Sequence, residues 1–180
     1  MRIRLEDSLF CLVDVQEKLF PHIGNKEKLE RTLPILVKGM KVLGVPIIVN
    51  EQYKKGIGET IPLLKELVSE YSSYEKTTFS ACQTPDILNA IKTSGKKNII
   101  VAGIETHVCV LQTCIDMIEN GFNVILVTNC SGSRKKLDHK MAIKRLIQAG
   151  AIPTTYESIL FELTLDSKNP NFKAISALIK

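Results

Sequence analysis

Four short, almost continuously apolar runs, separated by stretches of helical spacing, constrain this chain more than any other feature. They are Ser8 to Val13, Val45 to Val49, Asn98 to Ala102 and Phe122 to Val127. A strand that is apolar at every position is buried on both faces, and such strands belong to parallel sheets covered by helices. The intervening segments supply the helices. Asn25 to Leu43 carries Leu29, Leu33, Leu36, Val37 and Met40 on one face, with Pro34 inside it as a candidate kink, and Gly44 closes it. Ile61 to Ser69 repeats the pattern. Thr84-Pro85 reads as a cap and first turn for a helix to Thr93. Two more are expected, from about His107 to Asn120 and from a cap at Asp138 to Gly150. An extended segment near Pro153 precedes a helical tail. No repeat, low-complexity stretch or linker interrupts the order, so residues 1–180 read as a single α/β domain.

Composition excludes several alternatives. No apolar run approaches the roughly 20 residues of a membrane-spanning helix, and the charged start Met1 to Asp7 has no signal-peptide pattern. A cytoplasmic protein without a membrane partner is expected. The net charge is +5, but the lysines are dispersed; the longest basic cluster is Arg134-Lys135-Lys136, and aromatic residues are scarce. A solvated basic surface accounts for this better than a nucleic-acid site. The five cysteines, Cys11, Cys82, Cys109, Cys114 and Cys130, form no Cys-x-x-Cys pair and no disulfide framework. His22, His107 and His139 are too scattered to make a short metal-ligand motif, so neither a metal nor another cofactor is expected.

Ligands of an open parallel sheet bind beyond the carboxyl ends of its strands. Asp14 follows the first run, Asn50-Glu51-Gln52 the second, and Gly103 to Cys109 the third. Asp14 is either a turn residue or a functional carboxylate. Cys109 sits where a helix begins, and a helix N-terminus favours a thiolate; its apolar neighbours Val108, Val110 and Leu111 suit a small buried side chain equally well. His107 is two residues from Cys109, so on a helix the two side chains diverge, which favours a loop-positioning or pocket-rim role over a general base. Lys76 lies in a segment without helical period, and spacing alone does not single it out. Gly56-Ile57-Gly58 lacks the lysine and hydroxyl residue of a phosphate-binding loop and reads as a turn at the pocket edge.

Three segments together carry a resemblance. Leu12-Val13-Asp14-Val15-Gln16, Lys76-Thr77-Thr78-Phe79-Ser80 and Gly103-Ile104-Glu105-Thr106-His107-Val108-Cys109-Val110-Leu111-Gln112-Thr113 are similar to the motifs of the isochorismatase-like cysteine hydrolases, in the same order. Asn50-Glu51-Gln52-Tyr53, Cys130 to Arg134, Gly150-Ala151 and the tail from Asn171 resemble the isochorismatase domain-containing subgroup, so the likeness spans nearly the whole chain. It implies a sheet of about six strands in the order 3-2-1-4-5-6, a triad of Asp14, Lys76 and Cys109, and a cis peptide at Ile104–Glu105. In that loop the backbone N–H groups of Glu105 and Cys109 would receive an oxyanion. It also implies a homo-oligomer acting on a small-molecule substrate. Where the nicotinamidase branch carries an Asp-x-His metal motif, this chain has Asn50-Glu51-Gln52, which disfavours a metal-dependent nicotinamidase. The presence of Cys109 disfavours isochorismatase chemistry proper.

The expected activity is cysteine-dependent hydrolysis of a C–N bond through a thioester. Leu19, Phe20 and Phe79 are candidate pocket walls or core residues, while Asn50, Glu51 and Gln52 are candidates for substrate selection, with His107 at the rim. A metal-dependent amidase using Glu51 and a histidine, and a non-catalytic binding protein on the same fold, are the rival readings.

Overall fold

The computed structural model describes residues 1–180. Its six strands are β1 Ser8–Val13, β2 Ile47–Gln52, β3 Ser72–Lys76, β4 Asn98–Ile104, β5 Asn123–Gly132 and β6 Ile152–Thr154. They form one parallel sheet in the order β3-β2-β1-β4-β5-β6. The helices are α1 Lys26–Val42, α2 Lys54–Ile57, α3 Pro62–Val68, α4 Pro85–Thr93, α5 Leu111–Glu119, α6 Lys136–Gln148, α7 Tyr156–Thr164 and α8 Phe172–Ile179. No helix is long and apolar enough to cross a membrane.

The twofold alternation of a strand explains both cores. In β1, Phe10 and Leu12 enter a core shared with α1, α3, α7 and α8, while Leu9, Cys11 and Val13 enter a second core under α4 and α5. Every β1 residue is buried, as expected for a central strand between two helical layers. The sheet order reverses beside β1: β2 and β3 lie to one side, β4 to β6 to the other. A crevice therefore opens beyond the carboxyl ends of β1 and β4, where Asp14 and Glu105 follow. Gly103 makes this approach possible. A Cβ there would lie 2.1 Å from the Val13 carbonyl oxygen, and its φ of +152° suits glycine.

Several local expectations change. Pro34 does not divide α1, which continues through it to Val42. Asp138 is not a cap but lies in the first turn of α6, whose N-cap is Lys135. Thr84 holds the N-cap position of α4 as expected but makes no side-chain capping bond; its hydroxyl pairs with that of Thr78 at 3.0 Å. β3 is an edge strand with mostly exposed side chains and no apolar run, which is why the sequence pattern does not reveal it.

The expected helix from His107 begins differently. Thr106–Val110 forms a wide π-helical turn before α5, an irregularity frequent at functional sites. The structure holds no cis peptide bond, so Ile104–Glu105 is trans, contrary to what the resemblance implies. The chain reverses here through Gly103 and through a left-handed Glu105 (φ 54°, ψ 56°), which turns the backbone without an isomerised bond.

Candidate functional site

The residue register of the sheet brings distant side chains together. Val13 pairs with Asn50 on β2, and Gln52 at the end of β2 pairs with Lys76 at the end of β3. Lys76 thereby points its ammonium under the turn after β1, although 62 residues separate it from Asp14. Nζ donates to Asp14 Oδ2 at 2.7 Å, Gln52 Oε1 at 2.7 Å, and the carbonyl oxygens of Thr78 at 3.2 Å and Phe79 at 3.1 Å. Both Asp14 and Lys76 side chains are fully buried. A charge so placed requires a partner and further hydrogen bonds, and this ammonium has both.

Asp14 has a left-handed backbone (φ 54°), so the chain turns sharply as it leaves β1. One carboxylate oxygen takes Lys76; the other, Oδ1, is buried without a hydrogen-bond partner. Burial pushes the Asp14 carboxyl above its ordinary value, against the pull of Lys76. Cys109 is 5% exposed in the π-helical turn. Burial and the Asp14 carboxylate push its thiol well above the ordinary 9.0, and Lys76 offsets only part of this. Of the two influences weighed for Cys109, burial opposes the thiolate that a helix N-terminus favours. The resting site is a protonated thiol facing a buried acceptor.

The remaining candidates separate. Gln52 joins the Lys76 network and donates from Nε2 to the Thr77 carbonyl at 2.8 Å. Glu51, one residue earlier on the strand, faces the opposite side. It accepts from Thr60 N–H and hydroxyl and from Ser73, with Lys54 alongside at 3.2 Å, and so braces a loop rather than meeting Cys109. Asn50 is buried, donating to Cys11 Sγ and the Leu12 carbonyl, with Oδ1 unpaired. Phe20 lies in the α1-side core and Leu19 packs against it; Phe20 lines a groove of about 650 Å³ with Glu17, Pro21 and Leu63, apart from the triad. Phe79 reaches the network through its carbonyl, while the residue is 53% exposed.

Ile104 ends β4 in the α1-side core. Glu105 is held by Arg134, through the backbone N–H at 3.3 Å and Nε at 3.2 Å. His107 pairs through Nδ1 with the Ser133 hydroxyl at 3.1 Å and lies 3.7 Å from Glu105, so it fastens the loop and is not aimed at the thiol. No three His, Cys, Asp or Glu side chains converge to hold a metal ion.

Gln16 is a residue the sequence reading did not select, although it stands in the first motif. Its fully buried amide donates to the Gln52 carbonyl at 2.8 Å and the Gly58 carbonyl at 2.6 Å, and accepts from Gln52 N–H at 2.7 Å. It clamps the end of β2, and with it Gln52, to the turn after Asp14. Its place in the first motif, two residues after Asp14, was the available signal.

All five cysteines are free and buried. Burial pushes the thiols of Cys11 and Cys130 from 9.0 up to about 12. The folded protein keeps protons that the unfolded chain releases, so this contribution is complete below pH 9.0 and is lost as pH climbs toward 12. One unit above the unfolded value, each such thiol lowers stability by about 1.4 kcal/mol. Urea unfolding at pH 8 and pH 10 under reducing conditions should show the decline, and Cys130→Ala should flatten it by about that amount. An unchanged slope in the variant would contradict the burial argument.

Comparison with known proteins adds family context. The model of the isochorismatase domain matches residues 8–158. Isochorismatase family protein 1A of Dictyostelium discoideum is 40% identical over 176 residues, covering 95% of this chain and 85% of the relative. The structure of a protein named MAR1 ribonuclease from Caenorhabditis elegans aligns with a TM-score of 0.94 at 39% identity, over 99% of this chain and 92% of that one. The YcaC gene product of Escherichia coli, described as an octameric hydrolase of unknown specificity, aligns with a TM-score of 0.95 at 28% identity, covering 99% and 89%.

Proposed function

The chain belongs to the isochorismatase family, and from that premise we propose that it is a cysteine-dependent hydrolase of the C–N bond in a small amide. The observation that carries this is the buried Asp14–Lys76 pair with its second carboxylate oxygen unpaired beside Cys109.

As Cys109 Sγ attacks the carbonyl carbon, its proton passes to Asp14 Oδ1. The thiol is held protonated at rest, so transfer and attack are coupled. Lys76 keeps Asp14 oriented and compensates the anionic site. The tetrahedral oxyanion is received by the backbone N–H groups of Glu105 and Cys109, worth about 3–4 kcal/mol in such sites. Collapse expels the amine, which takes the proton from Asp14. The thioester is hydrolysed by water activated by the same carboxylate, releasing the acid and restoring the thiol. The five free cysteines support a reducing, cytoplasmic setting. The octameric E. coli neighbour supports homo-oligomer assembly of a single domain spanning residues 1–180.

Site-resolved alkylation across pH tests the proton acceptor. Burial raises the Cys109 thiol most and the Asp14 charge adds to it, so Asp14→Asn should move the Cys109 alkylation profile to lower pH. The same variant should lose turnover of any amide the wild type hydrolyses, together with the rising limb of its pH profile. An unmoved profile means that Asp14 does not face the thiol. The C. elegans neighbour's name makes single-stranded RNA a necessary control substrate: cleavage that survives Cys109→Ala would point away from thioester chemistry.

A further inference from the structure

We propose that a cavity between the start of α1 and the first turns of α6 binds the phosphate group of a small molecule. This goes beyond the hydrolase reading and does not depend on it. The cavity holds about 360 Å³ and is lined by Asn25, Lys28, Ser133, Lys136, His139 and Lys140, together with Gly24, with no apolar and no acidic side chain. None of the three lysines makes an ion pair within the chain, whereas Lys41, Lys54, Lys65 and Lys76 all do.

Three lysines from two helices thus line one concavity with no acidic residue on its wall, an arrangement that an anion stabilises. The backbone adds to the same sign. The N-cap of α6 is Lys135, which makes no side-chain capping bond, and Arg134, Lys135 and Lys136 crowd the positive end of the helix dipole. Acidic residues are the favourable choice there; Asp138 in the first turn and Glu105, which takes Arg134, offset part of this basic cluster, but neither lines the cavity. A phosphate dianion satisfies both features: its oxygens accept from ammonium and from helix N–H groups. The volume leaves room for a phosphate and a modest organic remainder.

His139 is held below its ordinary value, first by burial and then by Lys28, so a neutral imidazole adds no repulsion. Its Nδ1 lies 3.0 Å from the Thr106 hydroxyl, which donates to the Gly132 carbonyl at 2.9 Å. Ser133 on the cavity wall pairs with His107. The cavity is therefore joined to the turn that carries Cys109, yet Cys109, Asp14 and Lys76 do not line it.

Calorimetric titration of inorganic phosphate into the whole protein tests this, at ionic strength held constant with chloride. The wild type and Cys109→Ala should bind phosphate saturably at one site with equal affinity. The double variant Lys28→Gln/Lys136→Gln should bind at least tenfold more weakly. Its phosphate-free melting temperature should not fall, because both side chains are exposed and make no ion pair within the chain. Non-saturable binding in the wild type, equal affinity in the double variant, or loss of binding in Cys109→Ala each overturns the proposal. A parallel titration with a short single-stranded RNA separates the sources of phosphate: RNA binding without inorganic phosphate binding also overturns it.

Discussion

Replacing Lys76 by methionine is expected to lower the unfolding free energy by about 3–5 kcal/mol at neutral pH, the usual cost of stranding one member of a buried ion pair. Both side chains are fully buried, and the ammonium serves Gln52 and the carbonyls of Thr78 and Phe79 as well as Asp14. Methionine preserves most of the volume, so the loss isolates the charge and its hydrogen bonds. In the variant, Asp14 can escape only by taking a proton. Burial already raises its carboxyl, and losing Lys76 raises it further. A group raised on folding stabilises below its unfolded value and loses that contribution as pH rises. The deficit of Lys76→Met should therefore be smaller at pH 5 than at pH 8. Adding Asp14→Asn should recover part of it, since the stranded charge is gone. Chemical unfolding of the four proteins completes the cycle. A Lys76→Met penalty below about 1 kcal/mol would show that the pair is not desolvated as the structure has it.

Cys109→Ala should reduce turnover by on the order of 10⁴-fold, because no other group can form the thioester and only binding and oxyanion contacts remain. Its stability should stay within about 1 kcal/mol of wild type, since one sulfur atom is removed from a site lined partly by polar groups. The contrast with Lys76→Met is informative. Loss of Lys76 weakens the fold and the chemistry together, whereas loss of Cys109 should affect the chemistry alone. Turnover within tenfold of wild type in Cys109→Ala, with the variant folded by circular dichroism and melting, would remove the nucleophile from the mechanism. Accumulation of an acyl adduct on Cys109 in the wild type, seen by mass spectrometry with a slow amide or ester, would support it directly.

Where sequence and structure diverge, the reason lies in the range of the interaction involved. Ser8 to Val13 announces β1 because burial on both faces demands an apolar side chain at each position. Ser72–Lys76 announces nothing: an edge strand needs only backbone pairing with β2, and four of its five side chains remain at least partly exposed. Lys76 is invisible to periodicity for the same reason, since its partner lies two strands away, and only the resemblance singled it out. Glu51 and Gln52 look alike as candidates, yet alternation sends one to a loop brace and the other to the Lys76 network. The trans peptide before Glu105 and the left-handed turn that replaces the expected cis bond are backbone choices that residue identity alone does not dictate.

The sequence by itself determined the alternation of buried strands and helices, the two apolar faces, and the placing of Asp14 after a strand and of Cys109 where a helix begins, because these follow from local periodicity and from the position of a residue along its own element. Only the tertiary structure decided how Lys76 meets Asp14, that Glu51 turns away, that Gln16 clamps Gln52, and that burial pushes the Cys109 thiol up. Each of those depends on strand register and on desolvation by residues far along the chain, and neither quantity is written in any one segment.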